Sequence, residues 1–329
     1  MTQSLYRPTL LDVLQAKKII SRYLLRTPLH YYASLSKLLG AEVYVKHENH
    51  QPIGAFKIRG GIYLLSQLSP EERSRGVITA SSGNHGQSIA YASKLFGVKA
   101  IIVCPENANP DKMEAIKNMG AELLFYGREF DDSRIYAEQI AQKKGYRYIH
   151  AGDEPLLIAG VGTIHLEILE DLPDTEVIIT PIGGGSGAAG ACTVVKAINP
   201  AIRVIGVQAE QAPAVYLSWK EGREVIRPSM TSFEGLATRS PFKLPLGILR
   251  DYLDDFLVVG EEEIERAILI LLEKTHNLVE GAGASPLAAA LKIRESLVGK
   301  KVVLVMSGGN ITLSGLRDLL IKHLSPEKV

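Results

Sequence analysis

Val177-Ile-Ile-Thr-Pro-Ile-Gly-Gly-Gly-Ser-Gly187 carries a β-branched run directly into a loop almost without side chains, and small helix-forming residues follow. The passage reads as a strand, a tight turn and a helix start, the repeating unit of a parallel α/β sheet. Bare amides in the turn and the positive end of the next helix suit it to phosphate.

The same rhythm extends to both sides. Val77–Ala80 precedes the helical period of Gln87–Leu95, and Ala100–Cys104 precedes Lys112–Met119. Val204–Val207 forms a further short run, and Val302–Met306 precedes Leu313–Leu320. Three of the strand-to-helix turns, Ser81–Gly86, Gly183–Gly187 and Ser307–Asn310, are rich in small residues. Ligands in open α/β sheets bind at the carboxyl ends of strands, so three such turns point to one converging site. The glycines also fit G-x-G-x-x-G through Gly185, Gly187 and Gly190, with Glu210 placed for a ribose, so at this point a nicotinamide dinucleotide is as admissible as another phosphate-bearing cofactor.

Composition narrows the partners. Lys plus Arg number 37 against 36 Asp plus Glu, and the signs alternate through stretches such as Glu71–Arg75. Nothing in that pattern asks for nucleic acid or an anionic membrane. With 329 residues and 46% hydrophobic content the chain is long enough for two domains. Cys104 and Cys192 lie in apolar surroundings without a second Cys or His at ligand spacing, which predicts reduced thiols and a cytoplasmic protein. Met1–Thr9 lacks the pattern of a signal peptide, and the aliphatic stretch Ala267–Leu272 is far too short to span a membrane.

Far upstream, Glu48-Asn-His-Gln-Pro-Ile-Gly-Ala-Phe-Lys-Ile-Arg-Gly60 sets Lys57 between Phe56 and Ile58. An amine against bulky apolar neighbours loses hydration, which disfavours its charged form and frees a nucleophile for condensation with a carbonyl. Taken alone, the segment better describes a surface lysine whose stem lies along an apolar patch.

Gly54-Ala-Phe-Lys-Ile-Arg-Gly60, Ser81-Ser-Gly-Asn-His-Gly86, Gly183-Gly-Gly-Ser-Gly187 and Ser307-Gly-Gly-Asn310 follow one another in the order and approximate spacing of fold-type II pyridoxal-phosphate enzymes. The chain most resembles the threonine/serine dehydratase and serine racemase family, from Thr27-Pro-Leu29 through Asn310. The resemblance implies a two-domain, tryptophan synthase β-like α/β fold with open twisted sheets flanked by helices. It places a large cofactor-binding domain at 1–70 and 152–329 and a small α/β domain at 71–151, with pyridoxal 5'-phosphate in the cleft. It further implies a lyase that acts on a small hydroxyamino acid and assembles as a homodimer or homotetramer. An amino-acid racemase is the alternative, and a dinucleotide-binding oxidoreductase a weaker one.

By the same resemblance Lys57 holds the cofactor as a Schiff base, Phe56 packs beside the ring and Asn84 bonds the ring hydroxyl. Gly183, Gly184, Gly185, Ser186 and Gly187 take the phosphate, and Ser307 faces the pyridine nitrogen. A serine hydroxyl cannot keep that nitrogen protonated as a carboxylate would, so the ring is a weaker electron sink and prompt loss of a β-substituent is favoured. Ser81, Ser82, Asn84 and His85 form the substrate loop, with Ser82 on the cofactor face opposite Lys57. Paired serines before a helix are also ordinary N-caps. Glu280 matches an acidic position near the cofactor, or caps a helix. Arg134 falls where racemase-like members carry a substrate-side arginine, and on its own reads as a solvated charge at a helix start.

Several positions depart from the family pattern. Ala55 stands for the serine usual before Phe-Lys, Val161 for a glutamine, and Ser186 interrupts a glycine run. Gln208 and Ala214 stand where metal-activated racemases carry carboxylates, and two neutral residues do not replace hard anionic ligands, so no metal is expected. His47 and His50 lack the H-E-x-x-H pattern of a zinc site. Phe233-Glu-Gly-Leu-Ala-Thr-Arg239 replaces the commoner A-D-G pattern and is expected to line the mouth of the site. With so short a stretch after Ser307, no carboxyl-terminal regulatory domain is expected.

Overall fold

In the computed structural model, which describes residues 6–324, the β-branched runs become strands of two separate sheets. Residues 1–5, part of the stretch read above for a signal, lie outside the described residues. The strands are β1 (Leu29–Tyr31), β2 (Glu42–His47), β3 (Val77–Ala80), β4 (Ala100–Cys104), β5 (Glu122–Phe125), β6 (Arg147–Tyr148), β7 (Val177–Pro181), β8 (Arg203–Ala209), β9 (Asp255–Val259) and β10 (Lys301–Met306). One sheet has the order β1-β2-β10-β7-β8-β9, the other β5-β4-β3-β6. Every pairing is parallel except β1 with β2 at the edge of the larger sheet.

β3 and β4 are buried along their whole length, as continuous apolar runs must be when helices cover both faces of a parallel sheet. In the larger sheet the late strand β10 inserts between β2 and β7, with Val302 opposite both Val43 and Val177. That reversal of strand order sets the carboxyl ends of β7 and β10 side by side, where such sheets bind ligands. Below it lies a core of Val45, Ile179, Ile205, Val302 and Leu304, packed with Ile264, Ile268, Leu271 and Leu287. The smaller sheet has its own core, Ile78, Ile101 and Val103 against Ala137 and Ala141. Each fully buried Ile, Leu or Val side chain contributes about 1.5–3 kcal/mol.

The chain divides into two compact units. One holds the residues up to Leu25 with Lys57–Thr163, the other Arg26–Phe56 and everything from Ile164 onward. The sequence reading divided the chain instead at 70/71 and 151/152. The helix Lys57–Ser66 joins the unit of the smaller sheet because it packs against the helix Asn84–Phe96. Ser88 Oγ donates to the carbonyl of Lys57 at 2.6 Å to fasten the two.

Candidate active site

Lys57 is the first residue of the helix Lys57–Ser66, and burial lowers its amine from 10.5 to about 8. The side chain is only partly exposed, as its apolar neighbours led us to expect. An appreciable fraction is therefore neutral near physiological pH, which nucleophilic and general-base chemistry both require.

In the other unit, Phe56 N–H donates to the carbonyl of Ser307 at 2.9 Å. Ala55 bridges Gly308, Gly309 N–H donates to Gly54 at 2.9 Å, and Asn310 Nδ2 donates to the carbonyl of Ile53 at 2.9 Å. Two of the sequence-predicted segments, 53–56 and 307–310, thus form one antiparallel ladder. Ala55 is fully buried, so its small side chain is what the site admits. Glu280 caps the helix Gly281–Lys292, and its Oε1 lies 2.5 Å from where a Cβ on Gly308 would stand. That places its carboxylate against Gly308, next in sequence to Ser307, while its extended backbone, not its side chain, starts the helix.

Gly183–Gly187 link β7 to the helix Ser186–Ile198, with Gly185 as N-cap in the left-handed region at φ 89°. A Cβ on Gly183 would come within 2.1 Å of the carbonyl oxygen of Gly235. Phe233–Arg239, expected at the mouth of the site, therefore lies directly on the glycine loop, a contact that sequence did not reveal. Phe56, His165, Thr180, Gly187, Val305 and Ser307 line a narrow cleft of about 10 Å³ in the same unit.

The loop Ser81–Gly86 sits between β3 and the helix Asn84–Phe96. Gly83, not Ser81, is the N-cap, while Ser81 Oγ accepts from Gly83 N–H at 3.1 Å. Ser82 and Asn84 are partly exposed; Ser81 and His85 are buried. His85 Nε2 lies 3.0 Å from Thr79 Oγ1, and burial, then the charges of Lys57 and His150, push its pKa down to about 3. Its Nε2 is thus engaged inward by Thr79. Arg134 pairs with Asp131 at 3.3 Å and Glu138 at 2.8 Å on its own helix.

Among the described residues no three His, Cys, Asp or Glu side chains are grouped to hold a metal ion. His47 and His50 do stack, 4.9 Å apart. Tyr32 and Asn49 engage the His47 ring, and Asn277 engages His50 at 2.6 Å. Gln208 is fully buried, and its Oε1 accepts from Tyr216 N–H at 3.0 Å.

The residues fit pyridoxal phosphate: a desolvated amine, a side-chain-free loop at a helix start for a dianion, and a buried hydroxyl at Ser307. The chain belongs to the pyridoxal-phosphate dependent enzymes, whose family model matches residues 20–308, and pyridoxal 5'-phosphate is its cofactor. The dinucleotide reading of Gly185, Gly187 and Gly190 is thereby set aside.

Within that family, an L-threonine ammonia-lyase of Thermotoga maritima is 42% identical over 317 residues, 96% of this chain and 79% of that protein. The structure of maize serine racemase matches with a TM-score of 0.91 at 33% identity, over 98% of this chain and 100% of the other. The processed form of threonine deaminase isoform 2 from Solanum lycopersicum matches at 0.89 and 31% identity, over 96% and 95%. No helix among the described residues is long and apolar enough to cross a membrane.

Proposed function

We propose that this enzyme is a threonine/serine dehydratase, a lyase converting L-threonine to 2-oxobutanoate and ammonium, or L-serine to pyruvate and ammonium. The observation that carries the reading is the Lys57 amine, held at about 8 by burial and poised as a base for a Cα proton.

When bound, pyridoxal phosphate withdraws electrons from the Cα of the amino acid joined to it. We assign the phosphate to the amides of Gly183–Gly187, the ring face to Phe56, the ring hydroxyl to Asn84 and the pyridine nitrogen to the Ser307 hydroxyl. Ser81, Ser82 and the first amides of the helix Asn84–Phe96 hold the substrate carboxylate, where the helix dipole favours an anion. Lys57 takes the Cα proton as the Cα–H bond breaks. The Cβ–O bond breaks next, and the departing hydroxyl takes that proton from Lys57 to leave as water, which returns the amine to its neutral form. Hydrolysis of the remaining enamine, through its imine, releases the 2-oxo acid and ammonium. A neutral serine hydroxyl at the ring nitrogen limits how long Cα charge persists, so the β-hydroxyl departs promptly.

Likeness to serine racemase supports a second reading, in which the partly exposed Ser82 hydroxyl returns a proton on the face opposite Lys57. One assay separates the two. Purified enzyme given L-threonine, L-serine and D-serine releases 2-oxo acid faster than inverted amino acid if the dehydratase reading holds. Faster inversion of serine than pyruvate release would replace it with the racemase. The proposal includes a cytoplasmic location, supported by the free, buried Cys104 and Cys192. It also includes a homodimeric or homotetrameric state, to be measured by sedimentation.

A further inference from the structure

Thr79, in β3, is 1% exposed and has one hydroxyl proton for two neighbours. The hydroxyl donates to the carbonyl of Ile149 at 2.7 Å and lies 3.0 Å from His85 Nε2. If His85 Nε2 carried the lone pair, it and the Ile149 carbonyl would compete for that single proton, and one buried acceptor would lose this donor. If Nε2 carries the hydrogen, the Thr79 oxygen accepts from the ring and donates to the carbonyl, and both contacts are satisfied. Burial, then Lys57 and His150, oppose a doubly protonated ring and outweigh the backbone hydrogen bond to Ile149 that favours it.

We infer that Thr79 is a positioning residue, locking His85 as the neutral Nε2–H tautomer and so fixing the substrate loop Ser81–Gly86 against the segment that follows β6. The same hydroxyl joins two loops. Ile149 is followed by His150, whose Nδ1 accepts from Gly152 N–H at 3.1 Å and Asp153 N–H at 2.8 Å. With Nε2–H committed inward, the ring offers only an Nδ1 lone pair, which repels a carboxylate. Its task is to hold the start of the helix Asn84–Phe96 so that amides and serine hydroxyls meet the substrate.

The kinetic arm of the test rests on the dehydratase reading; the spectroscopic arm does not. Side-chain ¹⁵N spectra of the holoenzyme, with His85 assigned by its loss in His85→Asn, should show Nε2–H in wild type and Thr79→Ser. A second tautomer should appear in Thr79→Val. That valine variant should raise KM for L-threonine about tenfold, as expected for one lost neutral hydrogen bond. kcat should change less, and Thr79→Ser should restore KM. A wild-type ring protonated at Nδ1, or an unchanged KM in Thr79→Val, would overturn the inference. Absence of turnover with every β-hydroxyamino acid would count against the dehydratase reading alone, because the spectra still decide the tautomer.

Discussion

The amide of Phe56 donates to the carbonyl of Ser307 at 2.9 Å, so the residue before Lys57 is tied to the residue that follows β10. The bond uses only backbone atoms, which leaves the Ser307 hydroxyl for the cofactor. Ser307→Ala should therefore leave the thermal midpoint of the cofactor-free protein nearly unchanged while weakening pyridoxal phosphate binding about tenfold, the effect of one hydrogen bond. Fluorescence titration with the cofactor measures the second quantity and a thermal melt the first. Equal affinity in the variant would remove Ser307 from the pyridine nitrogen.

Lys57→Met should yield a colourless, inactive protein, whereas borohydride reduction of the wild type should fix the pyridoxyl group on Lys57. A stability measurement tests the amine itself. In the cofactor-free protein, below pH 8 the folded and unfolded chains both carry the charge, and the folded state bears the full desolvation cost. Between about 8 and 10.5 the folded form has lost its proton while the unfolded form keeps it, so stability rises with pH; above 10.5 the cost is gone. Cofactor-free Lys57→Met should thus exceed cofactor-free wild type at neutral pH by roughly 3 kcal/mol, with the gap closing in alkaline buffer. Urea melts across that range check it, and a pH-independent gap would contradict the depressed amine.

Gly183 and Gly184 should differ in their tolerance of alanine. A methyl on Gly183 meets the Gly235 carbonyl at 2.1 Å, whereas one on Gly184 meets the Phe242 ring at 2.2 Å. A ring can pivot, but a backbone carbonyl moves only with its segment. We expect Gly183→Ala to cost about 1–3 kcal/mol and to lose cofactor on gel filtration, with Gly184→Ala milder on both counts. The reverse order would show that Phe242 is the more rigid neighbour.

Lys46 is fully buried, with its Nζ 2.7 Å from Glu167 Oε2 and 2.8 Å from the carbonyl of Thr27. Removing one partner strands the other charge in the interior. Lys46→Met should cost about 3–5 kcal/mol, and the double variant Lys46→Met/Glu167→Leu should recover much of it. Chemical denaturation of the set decides the point: similar losses in single and double variants would mean that the pair's geometry, not its charge, is what the fold needs.

Chelation should leave activity and thermal midpoint unchanged, because Gln208 and Ala214 supply no carboxylate where a divalent cation would need one. A drop reversed by magnesium or calcium would mean that other oxygens form a site.

Much of this architecture was legible in the chain. β3, β4, β7, β8 and β10 fall on the β-branched runs, because burial on both faces demands uninterrupted apolar residues. β1, β5 and β6 left a fainter trace: they are two to four residues long and partly exposed, so neither alternation nor a continuous run marks them. Lys57 and the glycine loop stand out only through the resemblance of four ordered motifs to one family, since Phe56 and Ile58 alone also suit a surface lysine and glycine after a strand often only permits a tight bend.

Contacts between distant segments were not legible. The Gly235 carbonyl over Gly183, the ladder of 53–56 with 307–310, and Thr79 against His85 each depend on how strands are ordered and helices seated. Even Thr79 and His85, six positions apart, meet only because a strand turns sharply into a helix. By itself the sequence determined the parallel α/β class, which follows from periodicity and burial, and the likeness of four ordered motifs to one family, on which the roles proposed for Lys57 and Gly183–Gly187 rest. Tertiary structure alone decided where the chain divides into units, which groups face the buried rings and which backbone carbonyl presses on which glycine. Such features are set by distances between residues remote in the chain, and no local pattern encodes a distance.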